Sequence, residues 1–369
     1  DLSALPVWWA QTGDAVCVDS VEVARCWAEG TGGICPEVRW VGRDGLPSDA
    51  DVAPWGWSPL MVQRLLTGGA DRSRLPDEAR LARYRELSNR RHAVDMLAYL
   101  CSPDSDLGQE WRDRLCGVSY YCTGEQDIIR RMRQYPETLL KAPWSGSGKG
   151  LRLGRGGYAP PLSGWCLRQL REQGGVIVEP VYDKVSDFAM EFYSDGRGKL
   201  LFVGYSRFVT DDKGAYRGNI LTSDEQVEEW IQQYVPFEAF VRIRNMMQKA
   251  LETSYATSYM GFLGVDMMVC RQKKGHPYAI NPHVEINLRM NMGIVSHVLS
   301  DHFIVPGGEG RFSIDCFPTH EALMERHEQD AQSYPLVVKD GRVVSGYLPL
   351  VPVTPKSRYR AFVCVTAAE

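Results

Sequence analysis

The sequence predicts an α/β N-terminal region followed by an α+β domain in two parts, and three observations carry that prediction. Strand-like and helix-like segments alternate through residues 1–88 and again through 89–182, the pattern of helices layered on a sheet. From residue 183 onward, apolar runs are joined by short turn sequences, which signals antiparallel pairing. A chain of 369 residues also usually divides around separate cores, so two or three domains are expected.

Taken in order, D-A-V-C-V-D reads as a strand, V-E-V-A-R-C-W-A-E-G as a helix ended by Gly30, and E-V-R-W-V-G as a second strand. The P-W-G-W turn leads into a helix closed by Gly68 and Gly69. A helical stretch then runs to Leu100. Asp77 and Glu78 suit its N-terminal dipole, and Leu81, Tyr84 and Leu87, then Val94, Leu97 and Ala98, keep helical spacing. Ser88 and Asn89 prefer caps to helix interiors, so a break is expected there. Next come a helix over 125–134, a strand over 138–144, a glycine loop, a helix over 163–173 and the strand V-I-V-E-P-V. Residues 188–193 and 199–210 form a hairpin around S-D-G-R-G, and Ser223 with Gln226 makes a capping box. A helix over 237–255 precedes a second hairpin. The tail holds an Asp-Gly hairpin in P-L-V-V-K-D-G-R-V-V-S-G and a last strand, R-A-F-V-C-V.

Composition narrows the function classes. Hydrophobic content of 44% and charged content of 24% are ordinary for a globular protein. A net charge of −4 provides no chain-wide basic field, so no nucleic acid partner is expected. No apolar run reaches the ~18 residues of a membrane span, and the start D-L-S-A-L-P-V-W-W lacks a signal peptide's basic region. The ten cysteines contain no C-x-x-C pair. Cys17, Cys270 and Cys364 lie in apolar runs and read as small core residues in a reducing cytoplasm.

The chemistry-bearing residues cluster in two places. Y-A-I-N-P-H-V-E-I-N-L-R-M-N-M-G (278–293) follows G-V-D-M-M-V (264–269) after a short break, so Asp266, Glu285 and Asn287 fall on two strands of one hairpin. Glu285 and Asn287 share a strand face, and Arg289 continues it. Converging oxygens with one or two carboxylates suit Mg²⁺ that also holds nucleotide phosphates. Upstream, T-L-L-K-A-P-W-S-G-S-G-K-G-L places Lys141 in an apolar strand, where an ammonium wants an anionic partner. The loop through Ser145, Gly146, Ser147 and Gly148 can bring backbone N–H groups to phosphate, although Gly150 after Lys149 rules out a Walker A motif. Glu179 and Val181 end a strand able to present an adenine edge, and Asp187 lies within reach of a ribose. Each has a plainer reading. Lys141 fits an edge strand facing water, Asp187 a surface turn, Arg289 an ordinary salt bridge, and Arg217, in G-A-Y-R-G-N, an exposed loop. His283 reads as a structural hydrogen-bonding group, and Trp55 and Trp57 as packing residues of a turn.

The order of these features resembles the ATP-grasp superfamily over residues 89–303, and E-I-N-L-R is similar to the metal-binding strand of biotin carboxylase and of D-alanine–D-alanine ligase. The first region resembles the Rossmann-like pre-ATP-grasp domain of a bacterial branch. The resemblance implies a pre-ATP-grasp domain at 1–88, a small subdomain at 89–182, a large subdomain at 183–305 and a C-terminal extension with a β-hairpin at 306–369. It implies ATP and Mg²⁺, with Lys141 on the α/β phosphates, residues 145–150 over the β/γ phosphates, Glu179 and Val181 at adenine and Asp187 at ribose. Asp266, Glu285 and Asn287 would hold Mg²⁺, Arg289 the acyl phosphate, and Arg217 would approach the phosphates. The family's further phosphate-binding lysine has only Arg90 or Arg91 to replace it here. The implied activity is carboxylate–amine or carboxylate–thiol ligation of small molecules, an amino acid or peptide among them, with a homodimer left open. A kinase of the same fold and a non-catalytic ATP-binding module are the alternatives.

Overall fold

Ser20 accepts a hydrogen bond from the Val23 N–H and opens α1 (Val21–Glu29), which carries the chain between β1 (Ala15–Cys17) and β2 (Arg39–Val41). The two strands pair in parallel as a two-stranded sheet, so the Rossmann-like region is one βαβ unit. The structure is a computed structural model and describes residues 1–146, 150–211, 214 and 216–366. Ser58 caps α2 (Pro59–Thr67) and Asp77 caps α3 (Glu78–Leu87). The expected break falls where it should: Ser88 ends α3, and the Asn89 side chain accepts from the Arg91 N–H to start α4 (Arg90–Leu100). That back-to-back pair of caps places Arg90 at the first position of a new helix.

A second unit follows, formed by β3 (Tyr120–Cys122), α5 (Glu125–Met132), β4 (Thr138–Lys141), β5 (Leu151–Gly154), α6 (Pro160–Gln173) and β6 (Val176–Pro180). Its four strands pair antiparallel in the order β3-β6-β4-β5. The strand expected over 138–144 stops at Lys141 because Pro143 has no N–H to continue the ladder.

The largest sheet has nine antiparallel strands. In chain order these are β7 (Lys184–Asp195), β8 (Leu200–Thr210), β9 (Tyr216–Leu221), β10 (Met260–Arg271), β11 (Tyr278–Asn287), β12 (Glu309–Cys316), β13 (Val337–Lys339), β14 (Arg342–Pro349) and β15 (Tyr359–Thr366). Their spatial order is β11-β10-β7-β8-β9-β12-β15-β14-β13, so the last four strands continue the sheet begun at residue 184. Asp340 (φ 51°) and Gly341 (φ 73°) turn β13 into β14, the paired left-handed geometry an Asp-Gly hairpin favours.

Alternation decides the two faces of this sheet. Phe188, Met190 and Phe192 of β7 and Leu263, Val265 and Met267 of β10 enter a core with α7 (Asp224–Gln232) and α8 (Phe237–Tyr255). The intervening residues of the same strands point the other way. The N-terminal unit docks on α9 (Met292–Phe303) and the C-terminal strands, where the Trp8 indole donates to the Leu350 carbonyl at 2.7 Å. Helix α10 (His320–Ser333) is anchored by Arg360, which donates to Asp330 Oδ2 at 2.7 Å. One expectation about cysteines is corrected. Cys270 is buried, but Cys17 is exposed and Cys364 half-buried, because strand alternation sends Val16, Val363 and Val365 into the core instead. Among the described residues no helix is long and apolar enough to cross a membrane.

Candidate active site

Antiparallel register places Asp266 of β10 directly across from Glu285 of β11 on one side and Ala189 of β7 on the other. Residues paired across a ladder share a face, so the row lies on the side opposite the α7–α8 core. Asp187 and Glu191, two positions either side of Ala189, join the same face. Asn287 donates from its amide to Asp266 Oδ1 at 3.2 Å, and Arg289 donates to Asn287 Oδ1 at 3.0 Å. The predicted hairpin trio and Arg289 are therefore brought together.

Burial makes this face electrostatically tense. Desolvation, then the neighbouring Glu285 and Glu191 charges, hold the Asp266 carboxyl well above the usual carboxylate range. Glu191, 1% exposed, is pushed up to about 7, chiefly by burial, against hydrogen bonds from Asn291 and Ser206 at 2.9 Å each. Two glycines make room for it. A Cβ on Gly264 would sit 2.3 Å, and one on Gly293 2.0 Å, from a Glu191 carboxylate oxygen. Asn291 in turn caps α9, accepting from the Gly293 and Ile294 N–H groups. Sequence reasoning passed over Glu191, although its two-residue phase with Asp187 and Ala189 was available as a signal.

The small sheet faces this row. Lys141 of β4 is buried, as its apolar strand implies, and its ammonium meets Glu179 Oε2 of β6 at 2.7 Å and the Val284 carbonyl of β11 at 3.5 Å. Glu179 also accepts from the Ser119 hydroxyl at 2.9 Å, so both its oxygens are engaged. The Val181 N–H is taken up by the Glu137 carbonyl at 3.1 Å. Asp187 accepts from Lys184 at 2.5 Å and Thr210 at 2.8 Å, and is not a lone surface carboxylate. Arg217 stays outside the trio and pairs with Asp211 at 2.7 Å near the β8–β9 turn. At that turn, a Cβ on Gly214 would lie 3.6 Å from the Leu151 side chain of β5. Within the glycine loop, Ser145 holds the base against Gly150, and Gly146 has open space around it. Ser147 and Gly148 lie outside the described residues.

Further residues border the site. Of the two candidate arginines, Arg90 is the buried one and meets Glu285 Oε1 at 2.6 Å, whereas Arg91 lies over the Tyr121 ring. His283 is 2% exposed, and neither ring nitrogen has a hydrogen-bond partner among the described residues. That corrects the structural hydrogen-bonding reading. Burial, with Lys141 nearby, drives its pKa down to about 3 and keeps it neutral. The Trp55–Trp57 turn packs as expected and brings the Gly56 backbone against the Arg289 stem, 3.4 Å from a Cβ built there. A surface groove of about 850 Å³ along α5 lies away from the carboxylates, and the chemistry rather than the groove marks the site.

Among the described residues no three His, Cys, Asp or Glu side chains form a ready-made metal cage. The donor set nevertheless fits a hard divalent cation that takes one or two carboxylates and completes its shell elsewhere. A cation would also relieve the repulsion that raises Asp266.

No family model matches the chain, and no curated protein matches it in sequence. Solved structures do. The biotin carboxylase domain of the Hydrogenobacter thermophilus 2-oxoglutarate carboxylase, solved with magnesium–ADP, ADP and bicarbonate, superposes with a TM-score of 0.51 at 13% identity, over 99% of this chain and 84% of that one. The fold is that of the ATP-grasp enzymes. The Staphylococcus aureus N5-carboxyaminoimidazole synthetase, solved with ADP, agrees at a TM-score of 0.50 and 10% identity, over 96% of this chain and 93% of that one. The ATP-grasp architecture thus spans the whole chain, the N-terminal unit and the C-terminal strands included.

Proposed function

We propose that this ATP-grasp chain is a Mg²⁺-dependent, ATP-consuming ligase that activates a small carboxylate as an acyl phosphate for attack by an amine or thiol. The observation that carries the reading is the cross-strand pair Asp266–Glu285, followed by Asn287 and Arg289, on a half-buried face opposite Lys141. Asp266, Glu285 and Asn287 would hold Mg²⁺, which would supply charge neutralisation on the phosphates being transferred. Lys141 offers a fixed ammonium to phosphate oxygens, its position set by Glu179 and the Val284 carbonyl. The Ser145–Gly146 segment brings backbone N–H groups over the phosphate chain. Asp187, steadied by Lys184 and Thr210, is the ribose acceptor.

Arg289 is exposed beside the Trp55–Trp57 turn, which supports a role in holding an incoming carboxylate. Its guanidinium stabilises the negative charge of the acyl phosphate, and the nucleophile then displaces phosphate. Chemistry of this kind is positioning plus electrostatics and needs no protein nucleophile. Magnesium, ATP and the small-molecule substrates come to this chain by fold likeness and donor chemistry. The two structural neighbours support that reading, through magnesium–ADP and bicarbonate in one and ADP in the other.

The test is a screen of amino acids, short peptides and small carboxylates, each with an amine, for stimulated ATP cleavage and product mass. Release of ADP and free phosphate with a ligated product is the expected result. Phosphate retained on a hydroxyl acceptor would make the chain a kinase of the same fold. Mg²⁺-dependent nucleotide binding with no cleavage under any pairing would leave a binding module.

A further inference from the structure

Arg90 opens α4 with its side chain only 7% exposed. Nη1 donates to the Ala142 carbonyl at 2.8 Å and to Ser145 Oγ at 2.7 Å. Nη2 donates to Glu285 Oε1 at 2.6 Å and to the Ser145 carbonyl at 3.3 Å. The Arg90 N–H meets the Pro143 carbonyl at 3.0 Å. Its Nε, also buried, has no partner among the described residues. One side chain therefore clasps the base of the glycine loop, occupies an oxygen of a proposed metal ligand, and keeps a donor in reserve.

We propose that Arg90 is a positioning residue that competes with the divalent cation for Glu285, and that it passes to a phosphate oxygen when cation and nucleotide bind together. This deepens the Mg²⁺–ATP reading above and rests on it. A cation arriving alone must displace the guanidinium and leave it buried without an anion, which is unfavourable. A polyphosphate supplies the replacement anion, and a guanidinium binds phosphate with the same fork it offers a carboxylate. The open Nε–H gives that fork its second tooth. Cation and nucleotide consequently strengthen each other's binding, and by linkage they do so equally.

Mn²⁺, followed by the spin-resonance signal of the free ion, probes the metal site without turnover. Arg90→Met removes the competitor at similar length. It should bind Mn²⁺ alone about tenfold more tightly than wild type, while ADP should enhance that binding less than it does in wild type. Unchanged or weaker Mn²⁺ binding by folded Arg90→Met would overturn the exchange.

Should that variant fail to fold, Glu285→Gln decides, since it releases Arg90 at constant volume. In EDTA it should bind ADP more tightly than wild type, and more tightly than Asp266→Asn, which alters the neighbouring carboxyl without touching Arg90. Equal ADP affinity in the two variants would contradict the proposal. Wild type that binds neither Mn²⁺ nor ADP would instead defeat the nucleotide reading itself, so the two failures are distinguishable.

Discussion

Lys141 sits in an apolar strand, and the structure supplies the anion that such a lysine needs, Glu179 at 2.7 Å with both side chains at most 10% exposed. Lys141→Ala therefore strands a buried carboxylate, and should cost about 3–5 kcal/mol of stability in urea denaturation. The double variant Lys141→Met/Glu179→Leu should regain most of that. A single variant that loses less than about 1 kcal/mol would mean that solvent screens the pair. Glu179 as the partner was not legible in the sequence, because 38 residues separate the two and only the β4–β6 register joins them. His283 carries a pH signature. Its folded pKa is depressed to about 3, so between the unfolded value near 6.5 and that point the unfolded chain takes up a proton the folded chain refuses. Stability attributable to His283 thus falls as pH drops through this window, by at most about 1.4 kcal/mol per pH unit for one group. Glu191, raised to about 7, works in the opposite sense between pH 4.5 and 7, favouring the fold at the acid end. His283→Leu should flatten the acid side of the stability–pH curve measured from pH 6.5 to 4. A curve parallel to wild type would show that His283 is protonated in the fold.

The β10–β11 hairpin is the element on which the site depends, because a one-residue slip would turn Asp266 and Glu285 to opposite faces. Its strand pattern was legible from alternation, as were the Ser88-Asn89 break and the Ser223–Gln226 capping box, all of which are local signals. The short strands β3, β5, β9 and β12 were not read. β3 and β12 pair with strands distant in sequence, β5 follows a glycine-rich stretch, and β9 carries Gly218 and Asn219, which disfavour strands on their own. Helix α9 was missed for a related reason. Its Gly, Ile, Val and Ser residues are modest helix formers, and the Asn291 cap held by Glu191 fixes its start. That cradle gives an element-scale prediction. Gly293→Ala drives a methyl into Glu191 and should lower stability by about 1–3 kcal/mol in thermal melts. Gly164→Ala, exposed within α6 with nothing near its Cβ, should raise stability by about 0.5–1 kcal/mol. Equal responses at the two positions would contradict the close packing around Glu191.

At the scale of the whole molecule, the proposed function requires two sheets that the sequence presents as separate regions. They meet through Lys141 and the Val284 carbonyl, and through Arg90, which joins Ser145 to Glu285. The N-terminal unit borders the third side by laying Gly56 on Arg289. Sequence pattern gave the sheets but not their meeting, since contacts between faces leave no periodic trace. It also left residues 306–369 as an extension, whereas β12 pairs with β9 and carries the large sheet onward. A ligand gripped between the sheets should stabilise them as one. Saturating Mg²⁺–ATP, at about a hundredfold its dissociation constant, is expected to add about 2.7 kcal/mol to unfolding, seen as a raised melting temperature. The central claim is that a nucleotide polyphosphate and a divalent cation bind together on the Asp266–Glu285 face. Calorimetric titration of a non-hydrolysable ATP analogue into wild type and Glu285→Gln, with and without Mg²⁺, tests it most directly. Wild-type binding that depends on Mg²⁺, with that dependence lost in Glu285→Gln, is the predicted result. No binding to wild type, or binding equally helped by Mg²⁺ in both proteins, would contradict it.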